Sequence, residues 1–170
     1  RKQVAVVLQD VFLFADSILN NITLGNGEIS EASVVDAAKQ IGIHDFINNL
    51  PRGYHYNVKE RGVMLSVGQR QLISFLRAYI INPKVLILDE ATASSDSNSE
   101  QLIQQATKKI TKDRTSIVIA HRLATIQKAD AMIVLDSGKI VEMGTHTELL
   151  RNKEGFYSGL YKAQFLKEKN

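Results

Sequence analysis

The chain has 170 residues, of which 44% are hydrophobic and 23% charged, a globular composition long enough for a real core and suited to one domain of ordinary size. The net charge is only +3, with basic residues scattered and no aromatic interleaving, which argues against a nucleic-acid surface. Zero cysteines exclude disulfides and thiolate metal sites, and no apolar run approaches the ~20 residues of a membrane-spanning helix.

In chain order, residues 4–8 (Val-Ala-Val-Val-Leu) read as a short buried strand that ends on Gln9-Asp10. A helical pattern follows: a short helix after Asp16, one over 30–41 stopped by Gly42, and one over 45–50 stopped by Pro51. Residues 52–64 read as loop, punctuated by Gly53 and Gly62. The spacing predicts a longer helix over 66–81, with Leu72, Ile73, Leu76, Tyr79 and Ile80 as its apolar stripe and Asn82-Pro83 as its end.

Val85-Leu86-Ile87-Leu88 is a continuous apolar run, the pattern of a parallel strand buried on both faces, and it ends in two adjacent carboxylates, Asp89-Glu90. Ser97-x-x-Glu100 has the form of a capping box opening a helix whose Leu102, Ile103, Ala106 and Ile110 share a face. Residues 115–120 form a third buried-strand candidate with His121 at its carboxyl end. Two further strands, 131–135 and 139–143, flank the hairpin signal Asp136-Ser137-Gly138. Thr145-x-x-Glu148 caps another helix, and 154–165 carries Phe156, Leu160, Tyr161 and Phe165 towards a core.

In open α/β sheets the ligand sits beyond the carboxyl ends of the strands. Three strands here deliver Gln9, the Asp89/Glu90 pair and His121 to one such edge. A strand-end Asp can hold Mg²⁺ on nucleotide phosphates while a neighbouring Glu deprotonates or orients a water; the same letters also fit a strand running into a polar helix cap. Ser66 followed by Gly68 at a helix start offers a hydroxyl, backbone N–H groups and the positive end of the macrodipole, which suit a phosphate as well as they suit an ordinary cap. Asn21-Ile22-Thr23 matches a glycosylation sequon by chance composition, and His44, His55 and His146 lack metal-ligand spacing.

Residues 65–71 (Leu-Ser-Val-Gly-Gln-Arg-Gln), 85–90, 91–96 (Ala-Thr-Ala-Ser-Ser-Asp) and 121–123 (His-Arg-Leu) resemble, in order, the signature, Walker B, D-loop and switch-histidine motifs of ABC transporter ATPases, and Gln9 resembles the Q-loop glutamine. The likeness extends to 10–14, to Glu60-Arg61-Gly62, which resembles the loop that touches the membrane domain in exporters, and to 138–146. The resemblance implies an α/β, P-loop NTPase-like (RecA-like) parallel sheet with an inserted α-helical subdomain. Its parts are 1–14 with the Q-loop, 15–81 as the helical subdomain with the signature, and 82–170 as the second RecA-like part.

It implies the cofactors ATP and Mg²⁺, with Asp89 and Gln9 at the metal, Glu90 as general base and His121 on the γ-phosphate. Ser66, Gly68 and Gln69 would bind the γ-phosphate of nucleotide held by an opposite head-to-tail subunit, and Asp96 would lie at the dimer seam. The implied partners are a transmembrane domain and a second nucleotide-binding domain, with no nucleic acid, at the cytoplasmic face of the cell membrane. The implied function is ATP-driven export.

Three departures stand out. Val67 replaces a signature glycine, Ser94-Ser95 replace the usual Ala-Leu of the D-loop, and no G-x-x-x-x-G-K-[ST] occurs. That last absence predicts a chain that begins inside the domain and hydrolyses ATP negligibly alone. The rival readings are an ABC ATPase acting on nucleic acid or ribosomes, and a degenerate nucleotide-binding module.

Overall fold

Capping chemistry written in single residues sets the limits of the first helices. In this computed structural model, which describes residues 3–90, 97–120 and 126–167, strand β1 (Val4–Val7) is followed by α1 (Ile18–Thr23), α2 (Glu31–Ile41) and α3 (His44–Asn48). Ser17 caps α1 by accepting from the Asn20 N–H, and Ser30 caps α2 by accepting from the Ser33 N–H. Gly42, at φ 83°, closes α2 in the left-handed conformation that a glycine adopts without steric cost. Residues 52–64, read as loop, carry two short 3₁₀ turns, Gly53–His55 and Glu60–Gly62. Gly62 is required there by close approach, since a Cβ at this position would meet Leu13 Cδ1 at 2.9 Å.

Helix α4 (Val67–Ile80) then leads to β2 (Val85–Glu90), α5 (Ser97–Thr111) and β3 (Thr115–Ala120). The predicted stripe of α4 holds for Leu72, Ile73 and Leu76, which are fully buried, and the buried surface widens to include Gln71, Ser74, Phe75 and Ala78. The wider burial follows from position: α4 packs against α1, α2, α5 and β1 together. Ser97 is itself the first helical residue of α5, one step inside the cap position read from sequence, and the residue before it lies outside the described set.

Strands β1, β2 and β3 form one sheet in that order, with β1 and β2 parallel in the register Val4↔Val85 to Val7↔Leu88. The sheet corrects one expectation. The continuous apolar runs predicted strands buried on both faces, whereas burial alternates: Ala5, Val7, Leu86 and Leu88 are buried, while Val4 and Val6 are about half exposed at 45% and 52%. Ile117 and Ile119 of β3 are exposed as well. Among the described residues only one face is closed, by a core that includes Leu72 and Leu76 of α4 and Ile103 and Ile110 of α5.

Length suggested one domain, and the chain divides into two compact units, Arg1–Ile119 and Ala120–Asn170. In the second unit β4 (Met132–Asp136) and β5 (Lys139–Gly144) form a separate antiparallel hairpin. Ser137 and Gly138 both have positive φ (48° and 77°), the pairing expected of a type I′ turn. Two helices follow, His146–Arg151 and Phe156–Lys167, and Met132, Leu149 and Tyr157 make a small core of their own. Among the described residues no helix is long and apolar enough to cross a membrane.

Candidate functional site

The carboxyl edge of the first sheet is set by the β1–β2 register. That register runs from Val4↔Val85 to Val7↔Leu88, and β2 continues to Glu90. Gln9 follows β1 by two residues in a bend, and Asp89-Glu90 are the last two residues of β2, so both lie after the carboxyl ends of the paired parallel stretches. Gln9 is exposed, and Asp89 is half-buried on the same sheet face as Val85 and Ile87. His121 directly follows the last residue of β3 in sequence; His121 and Asp96 both lie outside the described residues.

A second group forms at the start of α4. Ser66 caps the helix: its Oγ accepts from the Gln69 N–H at 3.2 Å, and its own N–H donates to Gln69 Oε1 at 3.0 Å, a complete capping box. The Arg70 guanidinium donates to the Leu65 carbonyl at 2.9 Å and anchors the turn from the far side. Ser66 is exposed, Gly68 is buried and Gln69 is partly buried. Val67, which departs from the usual glycine, is the first residue of α4 and 51% exposed. Its φ is not positive, so this backbone does not call on glycine's conformational freedom at 67. A 14-residue helix, about 21 Å long, separates this cap from the residues that lead into β2.

The fold thus assembles Gln9, Asp89 and Glu90 at one edge and Ser66, Gly68 and Gln69 at one helix start. The half-buried carboxylate of Asp89 fits Mg²⁺, which keeps several waters and takes most of its remaining ligands from substrate phosphates. No group of three or more potential metal-ligating side chains occurs among the described residues. Three histidines are engaged elsewhere: His44 Nδ1 with the Tyr54 hydroxyl at 2.9 Å, His146 Nδ1 with the Tyr157 hydroxyl at 2.7 Å, and His55 with Glu31 at 3.3 Å. Burial, with Asp45 and Glu31 nearby, pushes the Tyr54 hydroxyl up to about 12, so it stays neutral. A cleft of about 310 Å³ beside β1, lined by Val4, Val6, Ile22, Leu24 and Ile81 among others, includes none of the predicted site residues.

Two features escaped the sequence reading. Phe12 and Phe14 are both more than half exposed and stack edge to face with centroids 5.1 Å apart, near in sequence to Gln9. Two aromatics on either side of Leu13, in a stretch without helical or strand pattern, were the available signal. Asn21, read only within a sequon, is 1% exposed and has its amide fully engaged by backbone groups, which also closes it to glycosylation as folded.

A sequence profile described as ABC transporter matches residues 1–93, more than half of the chain. An uncharacterized ABC transporter ATP-binding protein of Bacillus subtilis, YknV, is 50% identical over 97% of this chain and 27% of its own length. A Staphylococcus aureus protein, assigned by name alone to multidrug export as an ATP-binding/permease protein, is 49% identical over 98% of this chain and 28% of its own. The solved structure of a bacterial Atm1-family ABC exporter with ATP bound superposes with a TM-score of 0.84 at 42% identity, over 96% of this chain and 28% of that one. The chain therefore spans little more than a quarter of the length of these relatives.

Proposed function

This chain belongs to the ABC transporter family, and from that premise we propose that it forms the metal, water and signature portion of the ATP-hydrolysing domain of a longer exporter. The observation that supports the reading is the parallel pairing of β1 with β2, since Gln9 follows the carboxyl end of one strand and Asp89-Glu90 close the other. Asp89 and Gln9 would hold Mg²⁺, which would neutralise charge on the phosphates of ATP. Glu90 accepts a proton from a water as its oxygen attacks the γ-phosphorus; the bond from that phosphorus to the β-γ bridging oxygen breaks, and ADP carries the electron pair away. His121 contacts the γ-phosphate.

Ser66, Gly68 and Gln69 reach the γ-phosphate of nucleotide on a second, head-to-tail domain, and Asp96 packs at that seam. Their place at the start of a long helix supports this, because unpaired N–H groups and the macrodipole favour an anion there. The chain is then parted functionally as 1–14, 15–81 and 82–170. The membrane domain sits against the exposed Phe12–Phe14 pair and the Glu60–Gly62 turn, beside which Val63 and Met64 are also exposed. The domain works at the cytoplasmic face of the membrane, and nucleic acid is not its partner, in keeping with the scattered charge.

The test is ATP turnover by the full-length protein. Glu90→Gln is expected to lower it at least about 100-fold, the scale of a lost general base, with ATP still bound. The 170-residue chain alone is expected to turn over negligibly. Turnover by the full-length protein that survives Glu90→Gln would overturn the assignment, and salt-dependent RNA or DNA binding would favour the rival ATPase class.

A further inference from the structure

Arg77 lies in the last turn of α4, far along the helix from Ser66, and has no role in the site described above. Its guanidinium reaches across to the segment that follows Gln9: Nε donates to the Asn21 carbonyl at 2.8 Å and Nη1 to the Phe12 carbonyl at 3.4 Å. Asn21 lies in the last turn of α1, where a carbonyl has no partner within its own helix. A cation is suited to that negative helix end, and a planar fork spans two carbonyls as a point charge does not. Asn21 continues the connection. Its Oδ1 accepts from the Phe14 N–H at 2.8 Å, and its Nδ2 donates to the Phe14 and Ser17 carbonyls at 3.0 Å each.

Three parts of the chain are therefore joined through polar groups at one place: 12–14, α1 and α4. Burial lowers the Arg77 pKa from its ordinary value, and its Nη2 is buried without a hydrogen-bond partner among the described residues. Holding a half-buried guanidinium on main-chain carbonyls is a costly way to gain stability alone. Gln9 and Asp10, by contrast, are exposed and lie in no helix or strand.

The geometry points to Arg77 as a positioning residue of the hydrolytic site: by tying the Phe12 and Asn21 carbonyls to α4, it fixes the segment that directly follows Gln9 against the helix that Ser66 caps. This rests on the ATPase reading for its catalytic consequence, while the mechanical link stands on the hydrogen bonds alone.

The experiment uses the full-length protein in lipid nanodiscs, with rates normalised to titrated nucleotide sites so that unfolded protein does not count. Arg77→Met is expected to lower kcat about tenfold with KM for ATP within twofold, and Arg77→Lys to fall between. In Arg77→Met the Phe14 amide is expected to exchange with deuterium at least tenfold faster while the amides of α2 are unchanged. A kcat within twofold of wild type, a loss carried by KM, or an unchanged Phe14 amide would overturn the proposal.

Should Arg77→Met fail to fold, wild-type exchange decides. The Phe14 amide is expected to be protected to within tenfold of the α4 amides and at least 100-fold more than that of Asp10; exchange as fast as Asp10 would overturn it. Absence of ATP turnover in the wild type would instead defeat the ATPase reading, with the exchange data still testing the link.

Discussion

The two complete capping boxes among the described residues differ in charge. At Ser66–Gln69 the returning side chain is a neutral amide, and the box consists of two bonds of 3.0 and 3.2 Å. At Thr145–Glu148, in the second unit, it is a carboxylate that accepts from the Thr145 N–H at 2.8 Å and from its hydroxyl at 2.9 Å, while the Glu148 N–H donates back at 3.3 Å. Those bonds hold the Glu148 carboxyl below its ordinary range, the Thr145 backbone bond being the leading cause. The acidic box neutralises its own helix start. The neutral one satisfies the same backbone groups yet leaves the positive potential of the helix for another anion. A box that is only structural gains from Glu; one that must admit a phosphate gains from Gln.

The largest effect that could break this contrast is expected from Gln69→Glu in the full-length protein. It keeps the box but places a negative charge beside the incoming phosphate, where two unit charges 4 Å apart repel by about 4 kcal/mol near a protein surface. ATP-driven turnover should fall at least about tenfold, while the local stability of α4 rises by a few tenths of a kcal/mol, about 0.3 to 1. Unchanged turnover would show that the neutrality of the box has no bearing on phosphate binding.

Removing the cap oxygens gives the next largest effects. Ser66→Ala and Thr145→Ala should each cost roughly 1 kcal/mol of local helix stability, read by amide exchange in α4 and in His146–Arg151. Only Ser66→Ala should also weaken ATP-dependent turnover. Equal loss of turnover from both would erase the distinction between them.

Acid gives the smallest effect. Because the folded-state pKa of Glu148 is depressed below the unfolded value, its contribution is fully present above about 4.5 and is lost as pH falls through the lower folded value. Amide exchange in His146–Arg151 should therefore speed up more on acidification than exchange at the start of α4, whose box contains no titrating group. A parallel response of the two helices would mean that the carboxylate adds nothing to the second box.

How much of this was legible in the chain depends on how far apart the cooperating residues lie. Both boxes sit within four residues, so Ser66 and Thr145 could be read as caps directly, as could the Ser137-Gly138 turn. The apolar runs named the strands but misjudged their burial, because Val4, Val6, Ile117 and Ile119 face a side that the described helices do not close. Ser97-x-x-Glu100 had the letters of a box, yet the helix already includes Ser97. The Arg77–Asn21 link was invisible, since its bond joins residues 56 apart and neither residue breaks a local pattern.

Sequence alone determined the identity of the chemical groups, their order along the chain and the local caps and turns, because each depends on contacts between residues a few positions apart. Tertiary structure decided which of those groups share an edge, which sheet face is covered, and that Arg77 answers the carbonyls of Phe12 and Asn21. Parallel pairing of Val4–Val7 with Val85–Leu88 closes a loop of some eighty residues. No periodicity within either strand records that these two strands pair, or in which register.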